Sequence, residues 1–228
     1  MAGEQVSKAR QPTHRVVLVG RPGAGKGTQA RAVSDKLGVP HISTDDLVRG
    51  NVARGTPLRN AAKSHLARGE LVPDEVTAAV VRQRLVECGV ASGGFLLEGY
   101  PRTASQGRVL AEVLDDVGTQ LDLVLEMSVG RDEAALRLAG RRGCSSCGRM
   151  WHVRFNPPAV YGICDDCAGS LEQRGDDAGP VIDRRLDLYD RDTAPLLDFY
   201  GRQGVLATVD ASGPVEDVTE RMLSALGV

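Results

Sequence analysis

The chain reads as an α/β fold: a five-stranded parallel sheet flanked by helices and interrupted by two insertions. Three observations predict it. Short apolar, β-branched runs alternate with longer helical patterns, the rhythm of βα units feeding a parallel sheet. A glycine-rich turn stands between the first such run and the helix after it. Residues 143–179 break the rhythm with Gly, Cys and Pro, after which the alternation resumes.

Taken in order, Arg15–Val19 is the first strand, GRPGAGKG the turn, and a helix follows to about Leu37. Pro40–Ser43 is a second, short strand. Asp45–Arg54, Pro57–Arg68 and Asp74–Glu87 read as three helices, separated by Gly55, Pro57, Gly69 and Pro73. Phe95–Glu98 is the third strand, and Thr103 can cap a helix to about Leu114. Leu121–Met127 is the fourth strand, with a helix over Arg131–Arg142 behind it. Met150–Phe155 is strand-like within the Cys-bearing insertion. Ile182, Leu186, Tyr189, Thr193, Leu196, Leu197 and Tyr200 share one helical face, on a helix that Pro195 should kink. Val205–Val209 is the fifth strand and Val215–Leu226 the closing helix.

At 228 residues the chain suits one ordinary domain with small insertions. It is 42% hydrophobic and 25% charged, a normal balance for a soluble core, and its 4% aromatic content predicts an aliphatic one. A net charge of -2 gives no reason to expect nucleic acid or an anionic membrane as partner. Only four of the 28 basic residues are Lys, so each Arg must be argued from its position. No run approaches the length of a transmembrane helix, and residues 1–13 read as a polar tail without a signal core. The expected compartment is the reducing cytoplasm, where cysteines are free or bind metal.

Gly20-Arg-Pro-Gly-Ala-Gly25-Lys26 fits the phosphate-loop frame GxxxxGK in the required strand-to-helix context. Its glycines let backbone N–H groups turn towards phosphate oxygens, the helix N-terminus adds a positive dipole, and Lys26 reaches the outer phosphates. Gly27 stands where the general motif has Ser or Thr, and Thr28 follows. In the second insertion, Cys144-x₂-Cys147 and Cys164-x₂-Cys167 are separated by sixteen residues. Each pair lets two thiolates grip one tetrahedral ion, and Zn²⁺ is the expected metal, with iron or an empty site next. Four thiolates close the coordination shell, so the metal is structural. His152 is a fifth candidate that such a site does not need, and Cys88 reads as a small hydrophobe.

The run GxPGAGKGTQ from Gly20 to Gln29 resembles the phosphate loop of adenylate kinases, and further blocks follow in that family's order from about Val16 to Val218. The resemblance implies a P-loop nucleoside monophosphate kinase fold with core segments 14–42, 73–139 and 178–228. It also implies an acceptor-binding insertion over 43–72 and a zinc-bearing lid over 140–177. The activity implied is reversible phosphoryl transfer between Mg·ATP and AMP, giving two ADP, in a cytoplasmic monomer. By resemblance, Gly23, Ala24, Gly25, Lys26, Gly27 and Thr28 hold ATP, together with Arg137, Arg141, Met150, Trp151 and Gly213.

His41-Ile-Ser-Thr44-Asp-Asp-Leu-Val-Arg49 resembles the family's HISTGDxxR block, implying Thr44 at the AMP base and Arg49 at its phosphate. Asp45 stands where the family has Gly, and a carboxylate beside a phosphate is unfavourable unless it points away. Glu70, Leu71 and Val72 resemble the segment lining the AMP pocket. Gly99-Tyr100-Pro101-Arg102 resembles the family's GFPR turn, implying Arg102 at the AMP phosphate and Gln106 at the adenine. Glu98 replaces the family's Asp and is expected to hold Mg²⁺ through water. Arg137, Arg141, Arg174 and Arg185 resemble the arginines that converge on the transferring phosphoryl, where planar guanidiniums stabilise spreading charge. Pro180 replaces Glu and Ala211 replaces Gly. The alternatives are another nucleoside monophosphate kinase with a different donor or acceptor base, a catalytically weak nucleotide-binding paralogue, or a nucleic-acid-binding Cys₄ ribbon. Asp165 and Asp166 beside the cysteines oppose the last.

Overall fold

A computed structural model of the chain describes residues 14–47, 73–87, 89 and 93–228. The expected helix over Pro57–Arg68, most of that over Asp45–Arg54, the tail 1–13, and Arg49, Glu70, Leu71, Val72 and Cys88 lie outside the described residues.

Five parallel strands form the sheet, in the order β2-β3-β1-β4-β8: β1 (Arg15–Gly20), β2 (His41–Ser43), β3 (Phe95–Glu98), β4 (Leu123–Ser128) and β8 (Leu206–Asp210). β1 sits at the centre, with Val17 opposite Leu97 on one side and Val124 on the other. Both faces of the sheet are covered, so its strands read as near-continuous apolar runs. Successive side chains still part to opposite faces. Val16 and Leu18 join a cluster with α1 (Lys26–Leu37), α4 (Arg131–Ala139), α5 (Gly179–Leu188) and α7 (Val215–Ala225). Val17 and Val19 join a second cluster with α2 (Asp74–Glu87), α3 (Ala104–Asp116) and α6 (Ala194–Gly201). The core is aliphatic apart from Phe95, Tyr100, Tyr189 and Tyr200.

Two helices differ from the sequence expectation. The helix starting at Arg131 ends at Ala139, and Arg141–Cys144 is a strand, β5, so Arg137 and Arg141 do not share a helical face. The break falls at Gly140, where a Cβ would come within 2.3 Å of the His152 ring, so only glycine lets the chain pass. β5 then pairs antiparallel with β6 (Met150–His152) and β7 (Leu171–Glu172), and cross-strand bonding outweighs helix propensity. β6 stops at His152, whose Nδ1 accepts the N–H groups of Arg154 and Phe155, both at 3.0 Å. The helix expected to kink at Pro195 is instead widened: a π-helical turn, Tyr189–Thr193, separates α5 from α6. The proline ring lacks an N–H and crowds the carbonyl four residues back, and the wider turn relieves both. Asp190 fastens this turn to the core by accepting from Arg21 (2.8 Å) and Arg131 (3.0 Å).

The chain runs from β1 to β2 on one side of the sheet, then from β3 across to β4 on the other. That topological switch opens a crevice outside the carboxyl ends of β1 and β3.

Candidate active site

The turn after β1 is built for close approach. Gly23 has φ +88, and a Cβ there would lie 2.4 Å from the Ala134 carbonyl oxygen. Ala24 is buried, Gly25 caps α1 in a left-handed conformation (φ 89), and Gly27 and Thr28 lie exposed in the first turn. Lys26 folds back over the turn, its Nζ donating to the carbonyls of Gly20 (2.6 Å) and Arg21 (2.9 Å). Burial pushes its ammonium down to about 8; Glu98 opposes that shift, and Arg102 adds to it. Gly27 faces the Glu98 carboxylate, both of whose oxygens lie 3.6 Å from where its Cβ would be. His41 Nε2 also meets Glu98, at 3.1 Å.

The end of β3 carries the second half. Gly99 (φ +86) turns the chain, and a Cβ there would strike Thr44 Oγ1 at 2.4 Å. A cis peptide joins the buried Tyr100 to Pro101. Thr44 is 2% exposed and donates its hydroxyl to the Glu98 carbonyl at 3.0 Å. Ser43 Oγ accepts the N–H of Asp46 at 3.2 Å, so Ser43 provides the cap of the short helical run at 44–47. Arg102 donates Nε to the Gly99 carbonyl (2.8 Å) and Nη2 to Asp45 Oδ1 (2.5 Å). Gln106 is engaged at both ends of its amide: Oε1 accepts the N–H of Arg102 at 2.7 Å, and Nε2 donates to Asp74 at 2.6 Å.

A third group of cations lies where the insertion joins the core. Arg141 grips the buried Asp177 with two hydrogen bonds of 2.7 Å, and Arg185 donates to the same carboxylate at 2.9 Å. Burial holds the Arg185 guanidinium below its ordinary value, against the pull of Asp176. Arg137 stands apart, bonded to Glu133 (2.6 Å) and to the Ala211 carbonyl (3.0 Å). Arg174 Nη2 reaches Met150 Sδ at 3.5 Å. Gly213 has φ +94 and lies beside the Arg221 side chain, which spans its loop.

The cysteines meet in the insertion. Cys144 and Cys167 Sγ are 3.4 Å apart, Cys147 and Cys164 Sγ 3.7 Å, and all four lie within 4.8 Å of one another. Those separations exclude disulfides and suit tetrahedral thiolates, which at ordinary Zn–S lengths sit about 3.8 Å apart. Each Cys-x₂-Cys turn closes with a positive φ, at Gly148 (74°) and Ala168 (56°). Backbone N–H groups, first that of Cys147, draw the Cys144 thiol down to about 6, favouring the ligating form. Trp151, 6% exposed, packs on Cys144 and Cys164 with the Arg149 guanidinium 4.9 Å over its ring. The insertion's small core is thus a Cys₄ cluster that could hold a metal ion.

The family model described as adenylate kinase matches residues 18–205. An adenylate kinase of Salinispora tropica is 55% identical over 212 residues, covering 93% of this chain and 97% of that protein. Those of Acidothermus cellulolyticus and Streptomyces coelicolor are 51% and 48% identical, each over 93% of this chain and over 97% and 98% of their own lengths. The chain belongs to the adenylate kinase family.

Several positions where it departs from the family's pattern have a visible physical setting. Glu98, one methylene longer than the family's Asp, has ordinary van der Waals room beside Gly27. Pro180 sits in the first turn of α5, where a missing N–H costs nothing. Ala211 is buried and keeps its carbonyl on Arg137. Asp45 does not turn away from Arg102; it pairs with it. Sequence reasoning singled out none of Asp45, Asp74 or His41 as partners of Arg102, Gln106 and Glu98. Nothing local in the sequence marks Asp177 as the carboxylate that binds two arginines.

Proposed function

We infer that this chain catalyses reversible transfer of the γ-phosphoryl of Mg·ATP to AMP, yielding two ADP and balancing the adenine nucleotides. One observation carries the reading: Lys26, Arg102, Arg141 and Arg185 gather at the crevice, each held by a carbonyl or carboxylate that stands in for phosphate oxygen. Lys26 feels the charges of Arg102, Arg185, Glu98 and Asp45, so these groups share one field.

In this reading the loop from Gly23 to Thr28 cradles the ATP phosphates and Lys26 bonds the outer ones. Thr44, Arg49, the backbone of Glu70 to Val72, Gly99, Tyr100, Pro101, Arg102 and Gln106 hold AMP. Arg141, Arg174 and Arg185 stabilise charge on the phosphoryl in flight, joined by Arg137 once it leaves Glu133, with Met150, Trp151 and Gly213 at the ATP base. Trp151 is buried against the cysteines, so a contact from it comes through its backbone. Catalysis is positioning plus electrostatics, without a covalent intermediate. The core comprises 14–42, 73–139 and 178–228. Segment 43–72 closes on AMP and 140–177 on ATP, excluding the water that would otherwise accept the phosphoryl.

Mg²⁺ would neutralise phosphate charge, and Glu98, steadied by His41, is the residue to hold it through water. The Cys₄ cluster would hold Zn²⁺ as a structural staple, a role suited to a reducing, cytoplasmic setting. No helix among the described residues is long and apolar enough to cross a membrane. We expect a monomer. The test is ADP formation from Mg·ATP with AMP, GMP, CMP or UMP as acceptor. AMP-selective turnover supports the reading; equal use of another base replaces the acceptor assignment.

A further inference from the structure

Asp45 presents a carboxylate to the guanidinium that the proposed function gives to the acceptor's phosphate. Its Oδ1 accepts from Arg102 Nη2 at 2.5 Å, while Arg102 Nε is fixed on the Gly99 carbonyl. Carboxylate and phosphate compete for the same planar, charge-assisted donors. The corner is crowded as well: a Cβ at Gly99 would lie 2.4 Å from Thr44 Oγ1, 3.5 Å from Arg102 Nη2 and 3.7 Å from the Asp45 backbone nitrogen. The charge of Asp45 is also felt at Lys26 and at Arg185. The two side chains are 33% and 43% exposed, so the ion pair is open to exchange rather than locked in the core.

We propose that Asp45 is an internal anion that competes with the acceptor's phosphate for Arg102, and so sets the affinity for a nucleoside monophosphate. A phosphate arriving at Arg102 must displace the carboxylate, which then swings aside or repels the dianion. Removing the negative charge removes both penalties. A partly solvated ion pair is worth a few-fold in an equilibrium constant. With the added repulsion, the expected gain in AMP affinity is about three- to tenfold. The effect shrinks at high ionic strength, because salt screens partly exposed charges.

The inference rests on Arg102 holding the acceptor phosphate, and the experiment separates the two claims. KM for AMP and for ATP, with direct calorimetric binding of AMP, are measured for the wild type, Asp45→Asn, Asp45→Gly and Arg102→Ala. The proposal expects KM and Kd for AMP to fall about three- to tenfold in both Asp45 variants, with KM for ATP moving less than about twofold. AMP affinity that is unchanged or weaker in both overturns it. If Arg102→Ala weakens AMP binding while the Asp45 variants do not strengthen it, the competition alone fails. If Arg102→Ala leaves AMP binding intact, the role of Arg102 fails and the proposal falls with it.

Discussion

Replacing Asp177 by alanine should damage both stability and turnover, because the two guanidiniums proposed to act on the phosphoryl depend on one buried carboxylate. The Asp177 side chain is fully buried, and it takes two 2.7 Å bonds from Arg141 and one of 2.9 Å from Arg185. Breaking a fully buried pair costs about 3–5 kcal/mol. The arginine side chains are 22% and 17% exposed, so water recovers part of that loss and the discounted figure is about 2–4 kcal/mol. For a domain of this size each kcal/mol shifts the midpoint by about 2–4 °C, giving a fall of roughly 5–15 °C. Asp177→Asn keeps the shape but replaces charged acceptors with a neutral amide, and should lose about half as much. Arg141 and Arg185 would no longer be preset, so kcat should fall roughly 10- to 100-fold. Thermal unfolding by circular dichroism and a coupled ADP assay read the two effects. An alanine variant that melts within 2 °C of wild type and turns over within about twofold would refute the reasoning.

Metal analysis of the purified protein should find one zinc per chain; Cys164→Ser should abolish it and lower turnover roughly tenfold or more, since the insertion has no other buried apolar cluster among the described residues. Tyr100→Phe should stabilise the fold by about 1 kcal/mol, read as a rise of about 2–4 °C in melting, because the buried hydroxyl finds no partner among the described residues. kcat/KM for ATP should fall as pH rises through about 8: in the proposed function Lys26 binds phosphate as the cation, which is present below that value and lost above it. The kcat profile should break at higher pH, because bound phosphate favours the charged form.

What could be read from the sequence was whatever is contiguous. The phosphate loop, the turn from Glu98 to Arg102 and the four cysteines each lie within a few residues or at fixed spacing, so the local chemistry exposes them. The partners that tune them are distant: Asp45 lies 57 positions from Arg102, Asp74 is 32 from Gln106, and Asp177 is 36 from Arg141. No local pattern distinguishes those carboxylates from surface acids in a chain that is 25% charged. The alternation that predicts the sheet survives because parallel strands bury both faces, leaving apolar runs of strand length. The end of α4 was legible only in part. Gly140 signals a stop, but Arg141 and Arg142 carry good helix propensity, and their pairing with Met150–His152 is set by tertiary structure. Pro195 signalled a distortion, though not that a π turn would absorb it.

The most direct test compares AMP-dependent ADP formation by the wild type and by Lys26→Met at equal, folded concentration. The account predicts steady turnover by the wild type and a loss of roughly 10²–10³-fold or more in the variant. Melting should be unchanged or higher, because a charge disfavoured by burial has been removed. A variant that keeps turnover within about tenfold of wild type, or a zinc-loaded wild type that makes no ADP from Mg·ATP and AMP, would contradict it.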